Sequence, residues 1–204
     1  MYYAFDRRWL SSVVTVTLVA LNILIFLLSL LLPDTIHDAG VLNVYLVLEE
    51  GEVNRLLSAT FLHADFMHLF SNMILLFYLG AVVERNVGHI LFALLYLVSG
   101  ITGNVLTLVY EVAQRESWES LGASGAVFGV MGAMLVLLLK LPRAQRHGSS
   151  LLRRVGFMVV YSLFMGMRSN AVNNIAHIGG LLTGALLAFV MTFRNDRIDL
   201  RAML

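Results

Sequence analysis

The sequence predicts an all-α, polytopic membrane protein, a bundle of six transmembrane helices with both termini on the cytoplasmic side. Three observations carry this expectation. Of 204 residues, 59% are apolar and only 13% charged, with a mean hydropathy of +0.82, which leaves too few charges to cover a soluble globule of this size. Cutting the chain at its charges leaves six apolar runs, over about 9–32, 66–83, 86–110, 121–139, 155–167 and 171–193, the lengths that a hydrocarbon slab selects. The basic residues then divide unevenly between the two faces that six spans define: Arg7, Arg8, Arg85, Lys140, Arg143, Arg146, Arg153, Arg154, Arg194, Arg197 and Arg201 on the side of the termini, and only Arg55, Arg115 and Arg168 on the other. Under the positive-inside rule, eleven against three puts the termini in the cytoplasm. Nine acidic residues from Asp34 to Glu119 fall on the outer side, in agreement.

The first span is too long for a cleavable signal peptide, ends in Leu30-Leu31-Leu32-Pro33 and lacks a small-residue cleavage pattern, so it reads as a retained helix. An outer loop of about 33–65 follows, partly apolar through 41–48 and long enough to hold structure of its own against the bundle. The second, third and fourth spans are bounded by Glu84, Glu111 and Lys140. The fifth has 13 uncharged residues, but Leu151 and Leu152 precede Arg153 and Arg154, whose long stems can snorkel to the headgroups and extend it. With the sixth, the whole of 1–204 forms one membrane domain with short cytoplasmic tails of about 1–8 and 194–204. No internal repeat supports an inverted-repeat transporter. A net charge of +1 implies no nucleic-acid partner, and the absence of cysteine excludes a disulfide framework and a thiolate nucleophile.

In this topology the second, fourth and sixth helices start at the outer face, and each carries a polar group near its start: His68 and Asn72, Ser124, and His177. Polar side chains are costly in hydrocarbon and are read as functional by default. A helix from Ser124 to Leu139 is about 24 Å long against a core of about 30 Å, so with its cytoplasmic end anchored by Lys140, Ser124 starts below the outer surface and the loop before it dips into a cavity open to water. Small residues at every fourth position, Gly125, Gly129 and Ala133 on one helix and Ala176, Gly180, Gly184 and Ala188 on the other, let the two backbones approach closely. Taken alone these glycines are accounted for by packing. Beside Ser124 and His177, however, they bring a hydroxyl within reach of an imidazole.

His68 and Asn72, four apart, share one helix face, where two donors would suit the oxyanion of an acyl-transfer transition state, with the Ser124 N–H as a third. Without Ser124 and His177, structural hydrogen bonding accounts for that pair equally well, and His63 with Asp65 lies just ahead of it at the interface. No carboxylate falls in the outer half of any predicted span, which leaves the histidine alone to activate the serine. Metal-ligand spacing is absent, so neither a metal nor another cofactor is expected.

The motifs that hold these residues resemble one family, the rhomboid intramembrane serine proteases, over essentially the full chain. The segment 55–72, RLLSATFLHADFMHLFSN, is similar to the family's passage from its first loop into the second helix; Glu84-Arg85 with Gly88 is similar to the turn after it; Gly122-Ala123-Ser124-Gly125 matches GxSG, and Ala176-His177-Ile178-Gly179-Gly180 with Gly184 matches AHxxGxxxG. The resemblance implies Ser124 as nucleophile, His177 as general base and then acid, and His68, Asn72 and the Ser124 amide as oxyanion donors. Gly122, Phe128 and Gly180 become supporting residues. Phe128 stands where the family carries an aromatic residue, often tyrosine, against the histidine ring, so packing is kept without a hydroxyl. It further implies a substrate gate formed by the fifth helix and the loop 167–174, transmembrane proteins as substrates cut near the outer face, and, from the compact six-helix form, a bacterial plasma membrane. A second reading is a rhomboid-like scaffold that holds membrane clients without cutting them. A transporter has little support, since the polar residues cluster in the outer half alone.

Overall fold

The computed structural model describes residues 12–141, 150–169 and 172–192. Both predicted tails lie outside the described residues, as do residues 9–11, 171 and 193 of the predicted spans, residues 170–171 of the expected gate loop, and Arg7, Arg8, Arg143, Arg146, Arg194, Arg197 and Arg201, on which the expected orientation largely rests. All regular structure among the described residues is helical: α1 (Val13–Leu31), three short helices α2 (Pro33–Gly40), α3 (Val44–Leu48) and α4 (Arg55–Ser58), then α5 (Phe66–Val87), α6 (His89–Gln114), α7 (Ser124–Lys140), α8 (Ser150–Met167) and α9 (Asn174–Thr192). Five are long and apolar enough to cross a membrane, and α7 is the shorter apolar sixth.

Helix α7 is the axis of the bundle. It packs on α6, α8 and α9, and its buried residues, from Gly125 to Leu138, run around the whole circumference, as a helix enclosed by others requires. Helix α1 is the opposite case. Only Thr15, Leu18, Asn22 and Phe26 are buried, a single stripe at helical spacing, flanked by half-buried Val14 and Val19, while most of its other apolar side chains face outward, the arrangement for lipid contact.

Three predicted boundaries move. The second span was expected to stop at 83, but α5 continues through Glu84 and Arg85 to Val87 because Glu84 is fully buried and paired. Its carboxylate accepts from the Val14 and Thr15 amides at 2.9 and 2.7 Å and from Thr15 Oγ1 at 2.6 Å, and it meets His89 Nδ1 at 2.5 Å. Those amides are orphan donors of the first turn of α1, whose own preceding Ser12 makes no side-chain cap. A residue of α5 thus caps α1. The third span was expected over 86–110, yet α6 runs to Gln114 and takes Glu111 into its outer turn, fully buried. This corrects the expectation that no carboxylate lies in the outer half of a span: a charge boundary in the sequence is no boundary when the side chain faces protein rather than lipid. The fifth span extends from 155 back to Ser150, with Arg153 and Arg154 exposed on the helix.

The outer loop 33–65 is built rather than loose. Arg55, 5% exposed, donates from Nη1 to the Val41 carbonyl at 2.9 Å and from Nε to Glu52 at 2.5 Å. Asn104 of α6 donates to the Leu56 carbonyl at 2.9 Å, and Leu42 exchanges two backbone hydrogen bonds with Ser120, at 2.9 and 3.0 Å. Leu42, Val47, Ala59 and Leu108 close a small core of their own beneath it. The loop ends on His63, buried with its ring 5.1 Å from that of His68. Burial, with a smaller push from His68, lowers the His63 imidazole to about 4.

Two predictions follow the capping and the buried histidine. Glu84→Ala leaves two α1 amides unpaired inside the bundle and should cost about 3 kcal/mol of stability, read as thermal unfolding in detergent; an unchanged midpoint would show that α1 is held otherwise. An unfolded histidine protonates near pH 6.5 while folded His63 stays neutral to about pH 4. Its contribution to stability is therefore complete above pH 6.5 and is lost as pH falls toward 4, by about 3 kcal/mol in all. Wild type should lose more stability across that window than His63→Gln, and parallel curves for the two proteins would refute the assignment.

Candidate active site

Helix α7 begins at Ser124, so the serine side chain sits on the first turn with its own amide among the unpaired donors of the helix start. The approach to it is narrow. Gly122 has φ of 141°, a conformation that L side chains rarely adopt, and a Cβ there would lie 2.7 Å from His68 Cε1. Glycine at 122 therefore admits both the turn and the His68 ring. The Gly122 amide donates to the Ala59 carbonyl at 2.9 Å, which pins the serine loop to the end of the outer loop.

The second half of the site comes from α9. A Cβ on Gly180 would overlap the Gly125 carbonyl, and one on Gly184 would overlap that of Gly129. The expected close approach of the two helices is therefore backbone against backbone over at least one full turn. At its outer end His177 Nε2 stands 2.9 Å from Ser124 Oγ. The imidazole is 7% exposed, and Phe128 of α7 lies flat on it, ring centroids 4.2 Å apart and planes 6° from parallel. Stacking fixes the ring plane and leaves its rotation to the Nε2 bond. The other nitrogen, Nδ1, is buried without a hydrogen-bond partner among the described residues, so no carboxylate stands behind the histidine in a third position. Glu111, the carboxylate added to the outer half of the bundle, does not bond to it.

Helix α5 brings the remaining polar residues. Asn72 is 5% exposed, and its Nδ2 is buried with no partner among the described residues, a donor left open about one helical turn beyond His68. The His68 Nε2 and Ser124 Oγ lie 2.8 and 3.6 Å from the point a Gly122 Cβ would occupy, so His68 faces the serine from across the loop. Just below, α5 widens into a π-helical turn over Leu76–Gly80, a distortion often found near functional sites. Ser124, His177 and His68, from three separated places in the sequence, thus meet at one end of the bundle, with Gly122 and Phe128 shaping the space between them and Gly180 admitting the close approach of α9; Asn72 follows His68 by four residues on α5. Among the described residues no group of three or more His, Asp or Glu side chains is placed to hold a metal ion.

Such a site can remove a proton from a hydroxyl and offer donors to an adjacent negative oxygen. Motif reading passed over one of its neighbours, Asn173. Its Oδ1 accepts from the Ala176 amide at 3.0 Å as the cap of α9, and the signal was present as an asparagine immediately ahead of an apolar run.

The rhomboid domain pattern matches residues 50–194. RHOMBOID-like protein 2 of Arabidopsis thaliana is 39% identical over 161 residues, 79% of this chain and 49% of that protein. A putative rhomboid protease of Bacillus subtilis, YdcA, is 32% identical over 166 residues, 80% of this chain and 77% of its own length. Rhomboid protease GluP of the same organism is 34% identical over 146 residues, 70% of this chain and 27% of its own length. The chain spans only 40% to 50% of RHOMBOID-like proteins 1 and 5 of Arabidopsis. A match across most of the chain, on a bundle of apolar helices that carries the four motifs in order, makes this integral membrane protein a member of the rhomboid family.

Proposed function

We propose that the chain is a serine endopeptidase that cuts transmembrane segments of other membrane proteins near their outer ends, with Ser124 and His177 as its dyad. The observation that carries this reading is the 2.9 Å approach of His177 Nε2 to Ser124 Oγ in a buried setting. The base form of the imidazole carries its hydrogen on Nδ1 and accepts the serine proton at Nε2. Ser124 Oγ attacks the scissile carbonyl carbon, and negative charge gathers on the carbonyl oxygen, where Asn72 Nδ2, the His68 ring and the Ser124 amide can donate to it. His177 then passes its proton to the leaving amine, giving an acyl-enzyme ester. Water entering the cavity is deprotonated by His177, attacks the ester, and the proton returns to Ser124 as the acid product departs. No cofactor takes part.

An intact helix hides its carbonyls in backbone hydrogen bonds, so a substrate must be unwound near its cut, which favours segments with small or helix-breaking residues there. Helix α8 is the best-suited entrance, since only Val155, Val159 and Gly166 of its 18 residues are buried. It can separate from the bundle at the least cost in packing. The reading carries with it a single membrane domain, cytoplasmic termini and a bacterial plasma membrane. Relatives of bacterial and plant origin, including a mitochondrial one, support the membrane but not the choice among membranes.

Purified protein with a transmembrane substrate should release product, and Ser124→Ala or His177→Ala should abolish both cleavage and labelling of Ser124 by a fluorophosphonate. Cleavage that survives Ser124→Ala refutes the reading. Client binding without labelling or cleavage by wild type would favour the non-cutting scaffold. Asn72→Ala should lower kcat about 100-fold with KM nearly unchanged, since its donor acts on charge that develops after binding; a change confined to KM would remove Asn72 from the oxyanion site.

A further inference from the structure

We propose that Asn173 is a positioning residue that locks the helix carrying His177 to the loop carrying Ser124, so that one carboxamide sets the geometry of the dyad. The consequence for catalysis rests on the protease reading above; the tether itself rests on the hydrogen bonds. Asn173 uses every hydrogen and an oxygen lone pair of its side chain. Oδ1 accepts from the Ala176 amide at 3.0 Å, while Nδ2 donates to Thr107 Oγ1 on α6 at 2.8 Å and to Ser120 Oγ at 2.9 Å. Its backbone carbonyl receives the His177 amide at 3.2 Å. The residue therefore stands four positions before His177 and bonds directly to the residue four positions before Ser124.

Both anchors are themselves fixed. Thr107 is fully buried and donates its hydroxyl to the Gly103 carbonyl at 3.0 Å, and Ser120 is held by its two-way backbone pair with Leu42. Glycine packing decides how near α7 and α9 come, but glycines carry no directional bond, and a smooth backbone contact leaves two helices able to slide or rotate. Where α6 meets α9 the contact is also backbone, with a Gly103 Cβ position 2.7 Å from the Ala176 carbonyl oxygen. At the outer end the directional restraint comes from Asn173. A hydroxyl at this position would keep the helix cap but could not span both Thr107 and Ser120 while accepting from Ala176. This separates the tether from the cap.

The chain has no cysteine, so spin labels on cysteines placed at exposed Val109 of α6 and Ile178 of α9 report the spacing of the outer ends without reference to activity. In full-length protein in detergent, Asn173→Ser should retain a thermal midpoint near wild type while the distance distribution broadens. In the unlabelled background the same substitution should slow fluorophosphonate labelling of Ser124 about tenfold or more, since misplacement of a reacting pair by 1 Å is enough for that. Thr107→Val and Ser120→Ala should each give part of the loss, and adding either to Asn173→Ser should cost little further. An unchanged distance distribution in Asn173→Ser overturns the tether whatever the labelling rate. A broadened distribution in a protein whose wild type is never labelled supports the tether and sinks the protease reading.

Discussion

The contact between α7 and α9 is the constraint on which the rest depends. Gly180 and Gly184 press on the Gly125 and Gly129 backbones with no room for a carbon added to either, and that exclusion of side chains is what lets a hydroxyl on one helix start reach an imidazole on the other. In a membrane there is little hydrophobic gain from pressing two helices together, because lipid is as apolar as leucine. Close backbone approach supplies dispersion contacts instead, and it demands glycine. Once α7 is committed to α9 on one side and α6 on another, it is buried all round, and α8 and α1 are left at the periphery.

A second rule governs the polar groups. Inside the bundle many of them are matched across helices: Glu84 to the first turn of α1, Asn22 to the Leu18 carbonyl and to the Tyr96 hydroxyl, Asn104 to the outer loop, Lys140 to the Thr192 carbonyl. Each pairing joins elements that the chain separates widely, or turns a polar side chain back on its own helix. Asn72 Nδ2 and His177 Nδ1 have no partner among the described residues, and the same holds for Ser99 Oγ and both Glu111 carboxylate oxygens. A donor kept open in a buried place costs stability. It is useful where charge appears only transiently.

Much of this was legible in the residues. Apolar runs marked the six helices, the four-residue spacing of small residues marked the tight pair, and Ser124, His177 and His68 near helix starts marked groups that the fold brings together. Charge, used as a boundary, misled at Glu84 and Glu111, since a carboxylate ends a span only if it must face lipid. Glu84 is inside α5 because the amides of α1 meet it, and those amides lie 70 and 69 residues earlier. Asn173 was passed over, because two of its side-chain bonds reach residues 53 and 66 positions away.

What the sequence by itself determined is the set of elements and the chemistry they carry: periodicity, apolar length and small-residue spacing are local properties, and a short motif states its own reacting group. What only the tertiary structure decided is which nitrogen meets which oxygen, at what distance, and which donors stay free. Those depend on contacts between residues far apart in the chain, and a hydrogen bond is sensitive to tenths of an ångström, whereas hydropathy patterns resolve no more than a helix face.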